Sequence, residues 1–194
     1  GNPTTTTTVS CVANSVVLNN ASTCTATVTA STTLTNGVTG SVFFSSDSTG
    51  TFSSGSCTLD ASSNSAVSTC SETYTPTVIG IGTHAISATY PGDTANSVII
   101  LGSDTTTSSN VTVTKRATST VLSSCTTTVA YGSTTTNICT VTVSDTSSGT
   151  SSTPTGTITV SDGGAGGTSA GCTLSGGTCQ FSYTATTTTQ TGNQ

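Results

Sequence analysis

The sequence predicts an all-β chain of two β-sandwiches in tandem, the second lacking its last strands. Three observations carry the prediction. Apolar and hydroxyl residues alternate with a period of two, no stretch shows the period of a helix, and one pattern of cysteines occurs twice. The composition suits strands, since Thr and Ser account for 53 and 34 of the 194 residues. Threonine is β-branched and favours an extended backbone, while its hydroxyl is at ease in water, so it fits the outer face of a sheet.

Taken along the chain, the first clear strand places Cys24, Ala26, Val28 and Ala30 on one face and Thr25, Thr27 and Thr29 on the other. Further strands are expected at residues 38–46, 67–75, 83–90 and 110–114. Clusters rich in Gly, Asn, Asp, Ser and Pro separate them, such as Tyr90-Pro-Gly-Asp93 and Asp162-Gly-Gly164. Strands at this spacing argue for sandwiches of about 100 residues each.

The tandem arrangement comes from the cysteines. Cys24 and Cys57 are separated by the same interval as Cys139 and Cys172, so the second pair repeats the first at one constant offset. The text around them recurs. Cys24-Thr-Ala-Thr-Val28 answers Cys139-Thr-Val-Thr-Val143, and Gly40-Ser-Val-Phe-Phe-Ser-Ser-Asp47 answers Gly156-Thr-Ile-Thr-Val-Ser-Asp162. Cys57-Thr-Leu59 answers Cys172-Thr-Leu174, and Cys70-Ser-Glu-Thr-Tyr-Thr75 answers Cys179-Gln-Phe-Ser-Tyr-Thr184. The expected division is residues 1–115, a sandwich opening on an extended segment at 1–10, and residues 116–194, an incomplete one.

After Tyr74 the first copy continues through two further strand patterns to Thr114, whereas only Thr184 to Gln194 follow Tyr183, with no strand pattern. Three explanations compete: a fragment of a longer array, a disordered tail, or a sandwich completed by a strand from another subunit. Residues 1–10, uncharged and extended, are the candidate donor, because an unpaired sheet edge over an open apolar core should not persist alone.

The eight cysteines read as disulfides formed in an oxidising, extracytoplasmic setting. Zinc sites favour closely spaced cysteines with histidines, and the nearest pair in this chain is Cys172 and Cys179, with one His in all. The favoured pairs are Cys11 with Cys24, Cys57 with Cys70, Cys125 with Cys139, and Cys172 with Cys179, each stapling neighbouring strands. Length tolerance is the reason. The interval from Cys57 to Cys70 is nearly halved in its counterpart from Cys172 to Cys179, as happens when a hairpin tip contracts; Ser175 and Gly176 would form that tip. Closing a loop of about 15 residues contributes roughly 3 kcal/mol in the chain-entropy model, useful where the apolar core is thin.

Composition excludes several classes. Lys115 and Arg116 are the whole basic complement, which cannot supply a nucleic-acid footprint. No apolar run approaches the roughly 20 residues of a membrane span. A helical bundle would need Glu and Lys, of which this chain has almost none. Leu, Ile, Val and Phe are scarce, a signature of disorder when high net charge accompanies it, but the net charge is −5. With no Met, and Gly1-Asn2-Pro3 at the start, the chain reads as a processed or excised piece.

Gly40-Ser-Val-Phe-Phe-Ser-Ser-Asp47, Tyr74-Thr-Pro76, Gly82-Thr-His-Ala-Ile-Ser-Ala-Thr-Tyr-Pro-Gly-Asp93 and Pro154-Thr-Gly-Thr-Ile-Thr-Val-Ser-Asp-Gly-Gly164 together resemble the immunoglobulin-like repeats of bacterial and archaeal secreted and cell-surface proteins. The resemblance covers nearly the whole chain and is most specific over the Gly-Thr-His to Tyr-Pro-Gly-Asp stretch. It implies tandem immunoglobulin-like sandwiches on secreted or wall-attached proteins that act as stalk, spacer, adhesin or filament subunit. The paired cysteines look like those of archaeal versions. The family has no catalytic residues to transfer.

Candidate sites weigh against catalysis. His84 has no nucleophile elbow to serve and alternates onto one face with Ile86, Ala88 and Tyr90, so it is expected at the rim of a core strand. Asp47, Asp93 and Asp162 are expected as turn formers; calcium wants six to eight oxygens, and single carboxylates in separate loops do not gather them. Lys115 is expected as a solvated linker cation beside Arg116. Neither enzyme activity, nor a cofactor, nor a metal site is expected. Asn20-Ala-Ser22 and Asn110-Val-Thr112 fit the N-glycosylation pattern, and sugars on Asn20, on Asn110 or on the Thr runs at 4–8, 105–109 and 186–189 would keep a nearly uncharged protein soluble. The expected role is an extracellular structural protein, a filament or pilus subunit or surface array assembling with copies of itself through strand complementation. The alternative is an adhesin, carbohydrate-binding or spacer module of a larger surface protein. With few titratable groups, stability is expected to change little from neutral to acid pH.

Overall fold

The structure, a computed structural model, describes residues 1–94 and 98–186. Every regular element among them is a strand. The chain divides into two compact units, Gly1–Lys115 and the residues from Arg116 onward. In the first unit lie β1 (Thr5–Val12), β2 (Ser15–Val17), β3 (Ser22–Leu34), β4 (Ser41–Ser46), β5 (Gly50–Phe52), β6 (Ser56–Thr58), β7 (Ser65–Pro76), β8 (Thr83–Asp93), β9 (Ile100–Asp104) and β10 (Ser109–Thr114). The second unit has β11 (Thr118–Ser123), β12 (Thr134–Asp145), β13 (Thr157–Ile158), β14 (Gly167–Thr168), β15 (Cys172–Thr173) and β16 (Thr178–Ala185).

Two sheets face each other in the first unit. One runs β1-β3-β7-β5, and the other runs β2-β10-β8-β4-β6 with β9 added alongside β8. The period-two alternation decides which side chains meet between them. Cys24, Ala26, Val28 and Ala30 of β3 turn inward against Val42 and Phe44 of β4, and His84, Ile86, Ala88 and Tyr90 of β8 join the same interior. Thr25, Thr27 and Thr29 face out, half-covered by their neighbours.

The Tyr90-Pro-Gly-Asp93 cluster does not end its strand as expected. β8 continues to Asp93, with Tyr90 opposite Ser103 and Gly92 opposite Leu101. Gly92 makes this possible: its φ is +91°, and any Cβ there would run into the Ile100 carbonyl.

In the second unit the sheet β11-β12-β16-β14 matches β1-β3-β7-β5 strand for strand, while the facing sheet holds only β13 and β15 among the described residues. Its interior is built from Val141 and Val143 of β12, Leu174, and Phe181, Tyr183 and Ala185 of β16. Residues 187–194, which include most of the Thr run at 186–189 and of the tail expected to carry no strand, lie outside the described residues.

Candidate functional site

The eight cysteines form four disulfides of two geometrical kinds. Cys11–Cys24 joins residues directly opposite in the β1–β3 ladder, with Cα atoms 4.0 Å apart, and Cys125–Cys139 repeats this at 4.1 Å where the chain leaves β11. Cys57–Cys70 and Cys172–Cys179 have wider Cα separations, 5.7 and 5.9 Å, because each crosses from one sheet to the other. The expectation that these two staple paired neighbours is therefore corrected. Cys57 pairs in its ladder with Val42 and Cys172 with Ile158, so both cysteines belong to the sheet facing β3–β7 or its counterpart β12–β16. The hairpin tip is also one residue later than expected. Ser175 and Thr178 exchange backbone bonds around Gly176 and Gly177, whose φ values of +59° and +80° suit two glycines and would strain Ser175.

Equivalent backbone bonds align the two units at four positions. Leu59 N–H donates to Gly40 O at 2.9 Å, and Leu174 N–H donates to Gly156 O at 2.8 Å. On the opposite flank Asn19 N–H donates to Pro76 O at 3.0 Å, and Gly132 N–H donates to Ala185 O at 2.9 Å. Asn19 and Gly132 share a left-handed backbone, with φ of 67° and 71°. Val42 therefore corresponds to Ile158, and Val16 to Val129. This correspondence also moves Asp162, which the sequence repeat aligned with Asp47, onto the place of Ser46.

What differs is the cover over the interior. In the first unit β8 and β10 lie between Val16 and Val42, and β9 straps β1: Thr5 Oγ1 donates to Leu101 O at 2.7 Å, and the Thr7 and Ser103 hydroxyls are 2.7 Å apart. Val9, opposite Ala26, packs on the core. In the second unit the residue opposite Val141 is Leu122, and it is 58% exposed. The inner face of β11 thus lies open where β1 is covered, and among the described residues β13 offers an unpaired ladder edge where β4 pairs β8.

Polar groups inside the units replace one another in a related way. Tyr74 Oη sits 2.8 Å from His84 Nδ1 and accepts from Ser46 Oγ at 3.0 Å. His84 is wholly buried, so the rim position expected for it is corrected: Tyr74 gives its ring a polar partner in the core. In the second unit Tyr183 Oη donates to Asp162 Oδ2 at 2.8 Å, and Asp162 also accepts from Gly167 and Gly164 N–H at 2.7 and 3.0 Å. Those donors hold the Asp162 carboxyl below the usual carboxylate range. A glycine makes room for each tyrosine; a Cβ on Gly50 would meet Tyr74, and one on Gly167 would meet Tyr183.

The remaining sequence candidates are dispersed. Asp47 accepts from Ala85 N–H at 2.7 Å just past β4, whereas Asp93, expected in a turn, is the last residue of β8 opposite Ile100 and accepts from Thr39 Oγ1 at 2.5 Å. Asn110 is exposed on β10 with Thr112 exposed beside it, whereas Ser22 of the Asn20 sequon is buried and donates to Ala13 O at 2.6 Å. Residues 5–12, which contain most of the proposed donor segment, lie paired along β3.

Two charged sites, the Arg116–Asp145 pair and Glu72, were not legible in the sequence. Arg116 Nε lies 2.6 Å from Asp145 Oδ2, and Asp145 also accepts from Ser147 and Ser152 N–H. The Arg116 bond, helped by those amides, lowers the Asp145 carboxyl to about 2. Glu72 points inward from β7; burial pushes its carboxyl up, but bonds from Ser53 Oγ and from Ser54 and Gly55 N–H outweigh this and leave it low. Both fasten loops rather than form a reactive centre. Among the described residues no helix is long and apolar enough to cross a membrane.

No protein-family model matches the chain, and no curated protein sequence matches it. Among solved structures it is similar to the Yersinia pseudotuberculosis adhesin InvE, at 18% identity and a TM-score of 0.42, over 92% of this chain and 51% of that one. The chain thus spans about half the length of that adhesin, and the likeness is too loose to carry fold or function.

Proposed function

We propose that the chain is an extracellular structural protein of two immunoglobulin-like sandwiches, whose second unit is completed by β-structure from another copy in a surface filament, pilus or array. The observation that carries this reading is the second unit's small sheet: among the described residues, β13 and β15 stand where the first unit has β2, β10, β8, β4 and β6. A ladder edge beside exposed apolar side chains is a ready acceptor for an added strand, because backbone bonds supply affinity and alternate side chains fill the interior. Two disulfides per unit support an oxidising location, and a hydroxyl coat with almost no charge supports a chemically persistent, glycan-bearing surface, with Asn110 the better presented acceptor. The role is non-enzymatic; His84 is wholly buried in the core, with Nδ1 against Tyr74 Oη.

A carbohydrate-binding or adhesive module would use an aromatic platform. Phe43 and Tyr131 are the exposed aromatics among the described residues, and they lie in different units. The test compares amide hydrogen exchange of Thr157 and Ile158 in the isolated chain and in native assembled material. Protection that arises only on assembly supports the reading, and equal exchange in both states removes it.

A further inference from the structure

Among the described residues the second unit has an opening with two built sides, and the first unit shows what fits between them. On one side Ile158 takes the place of Val42, and on the other Val129 takes the place of Val16, each held to its unit by the equivalent backbone bonds described above. Between Val42 and Val16 the first unit holds two strands: β8 antiparallel to β4, then β10 antiparallel to β8 and parallel to β2. Strands lie about 4.8 Å apart, so flanks separated by three such steps leave a gap of about 14 Å. A single strand pairs with one flank and leaves the other ladder unsatisfied.

We infer that the second unit accepts a two-stranded antiparallel β-hairpin, one strand antiparallel to β13 and the other parallel to the segment at Val129. The inference rests on the reading of that unit as the site of complementation and specifies the partner. The chemistry of the hairpin follows from the strands that occupy the same place in the first unit. Its inward positions carry branched or aromatic apolar residues, as Ile86, Tyr90, Val111 and Val113 do, and its outward positions carry mostly small hydroxyl residues, as Ser87, Thr89, Thr112 and Thr114 do. One position differs. β8 brings His84 to Tyr74, but Tyr183 already has Asp162, so the incoming strand needs no hydrogen-bonding side chain at that point. Residues 1–10, of which 5–10 are paired along β3, have the length of one strand and would satisfy one flank only.

The experiment adds three synthetic peptides to the full chain and reads amide exchange at residues 128–130 and 157–160. The peptides carry the sequences of residues 83–114, 83–93 and 1–12. The 83–114 peptide, in which β9 lies in the connection between the β8 and β10 hairpin strands, is expected to slow exchange on both sides, about tenfold or more, and each single-strand peptide on one side at most. A single strand that protects both sides overturns the proposal, as does a hairpin that protects one. A second chain, in which the sequence of residues 77–114 follows Ala185 in place of 186–194, removes dependence on peptide affinity; lack of protection at 128–130 in that chain also overturns it. Failure of the native material to protect residues 157 and 158 would remove the assembly reading while leaving the grafted chain's result standing, so the two failures are distinguishable.

Discussion

Tyr74 and His84 meet inside the first unit, Oη to Nδ1 at 2.8 Å, and the equivalent Tyr183 reaches Asp162 instead. The exchange follows from topology. His84 arrives on β8, the second unit has no such strand among its described residues, and Asp162 stands at the place of Ser46 to accept the phenol proton. Buried hydroxyls need partners, and each unit finds one from the strands it possesses.

Tyr74→Phe leaves His84 Nδ1 and Ser46 without their shared partner and should cost the first unit about 1–3 kcal/mol. Tyr183→Phe should cost the second unit less, because Asp162 keeps the Gly164 and Gly167 amides. Chemical denaturation of the two variants, read separately for each unit by hydrogen exchange, checks the order; equal losses would contradict it.

Gly50→Ala and Gly167→Ala should each destabilise their unit by about 1–3 kcal/mol, through overpacking against the tyrosine ring. Neither glycine has a left-handed backbone, so the cost would come from the ring and not from φ. Thermal unfolding of the alanine variants gives the answer, and an unchanged midpoint would refute the close approach.

Stability should hold from neutral pH down to about pH 4 and fall below it. Glu72, Asp145 and Asp162 all have lowered values in the folded chain, so each contributes above its unfolded value and loses that contribution as pH drops through its folded one. For Asp145 the window runs from about 4 to about 2. This replaces the flat profile expected from the low count of ionisable groups, because three of those few carboxylates are held by hydrogen bonds or an ion pair in the fold. Melting temperatures from pH 7 to 2 check it, and Arg116→Ala should move the Asp145 part of the fall upward in pH.

Removing Cys172–Cys179 by a double Ser substitution should cost about 2–3 kcal/mol in the chain-entropy model and speed amide exchange at Ile158 and Cys172. The same change at Cys125–Cys139 should leave those amides unaffected, since that bridge does not reach the small sheet. Exchange mapped by mass spectrometry separates the two.

The long strands were legible because alternation is visible only where several periods are present. Cys24 to Ala30 and His84 to Tyr90 announce which face turns inward, and the same count places His84 beside Ile86. Strands of two or three residues, such as β2, β5, β13 and β15, contain no period to read. The disulfide partners could be read from spacing, but not that two of them cross between sheets, because ladder partners such as Val42 and Cys57 are set by tertiary pairing. Arg116 and Asp145 lie far apart in the chain, and Glu72 occupies an inward position where alternation calls for an apolar residue, so neither role leaves a local signal.

Electron microscopy of the native material tests most directly whether β-structure from another copy finishes the second unit. Filaments or arrays are expected, in which added strands pair with residues 157–160 and cover Leu122. Compact single molecules, each with a second unit closed entirely by its own chain, would contradict it.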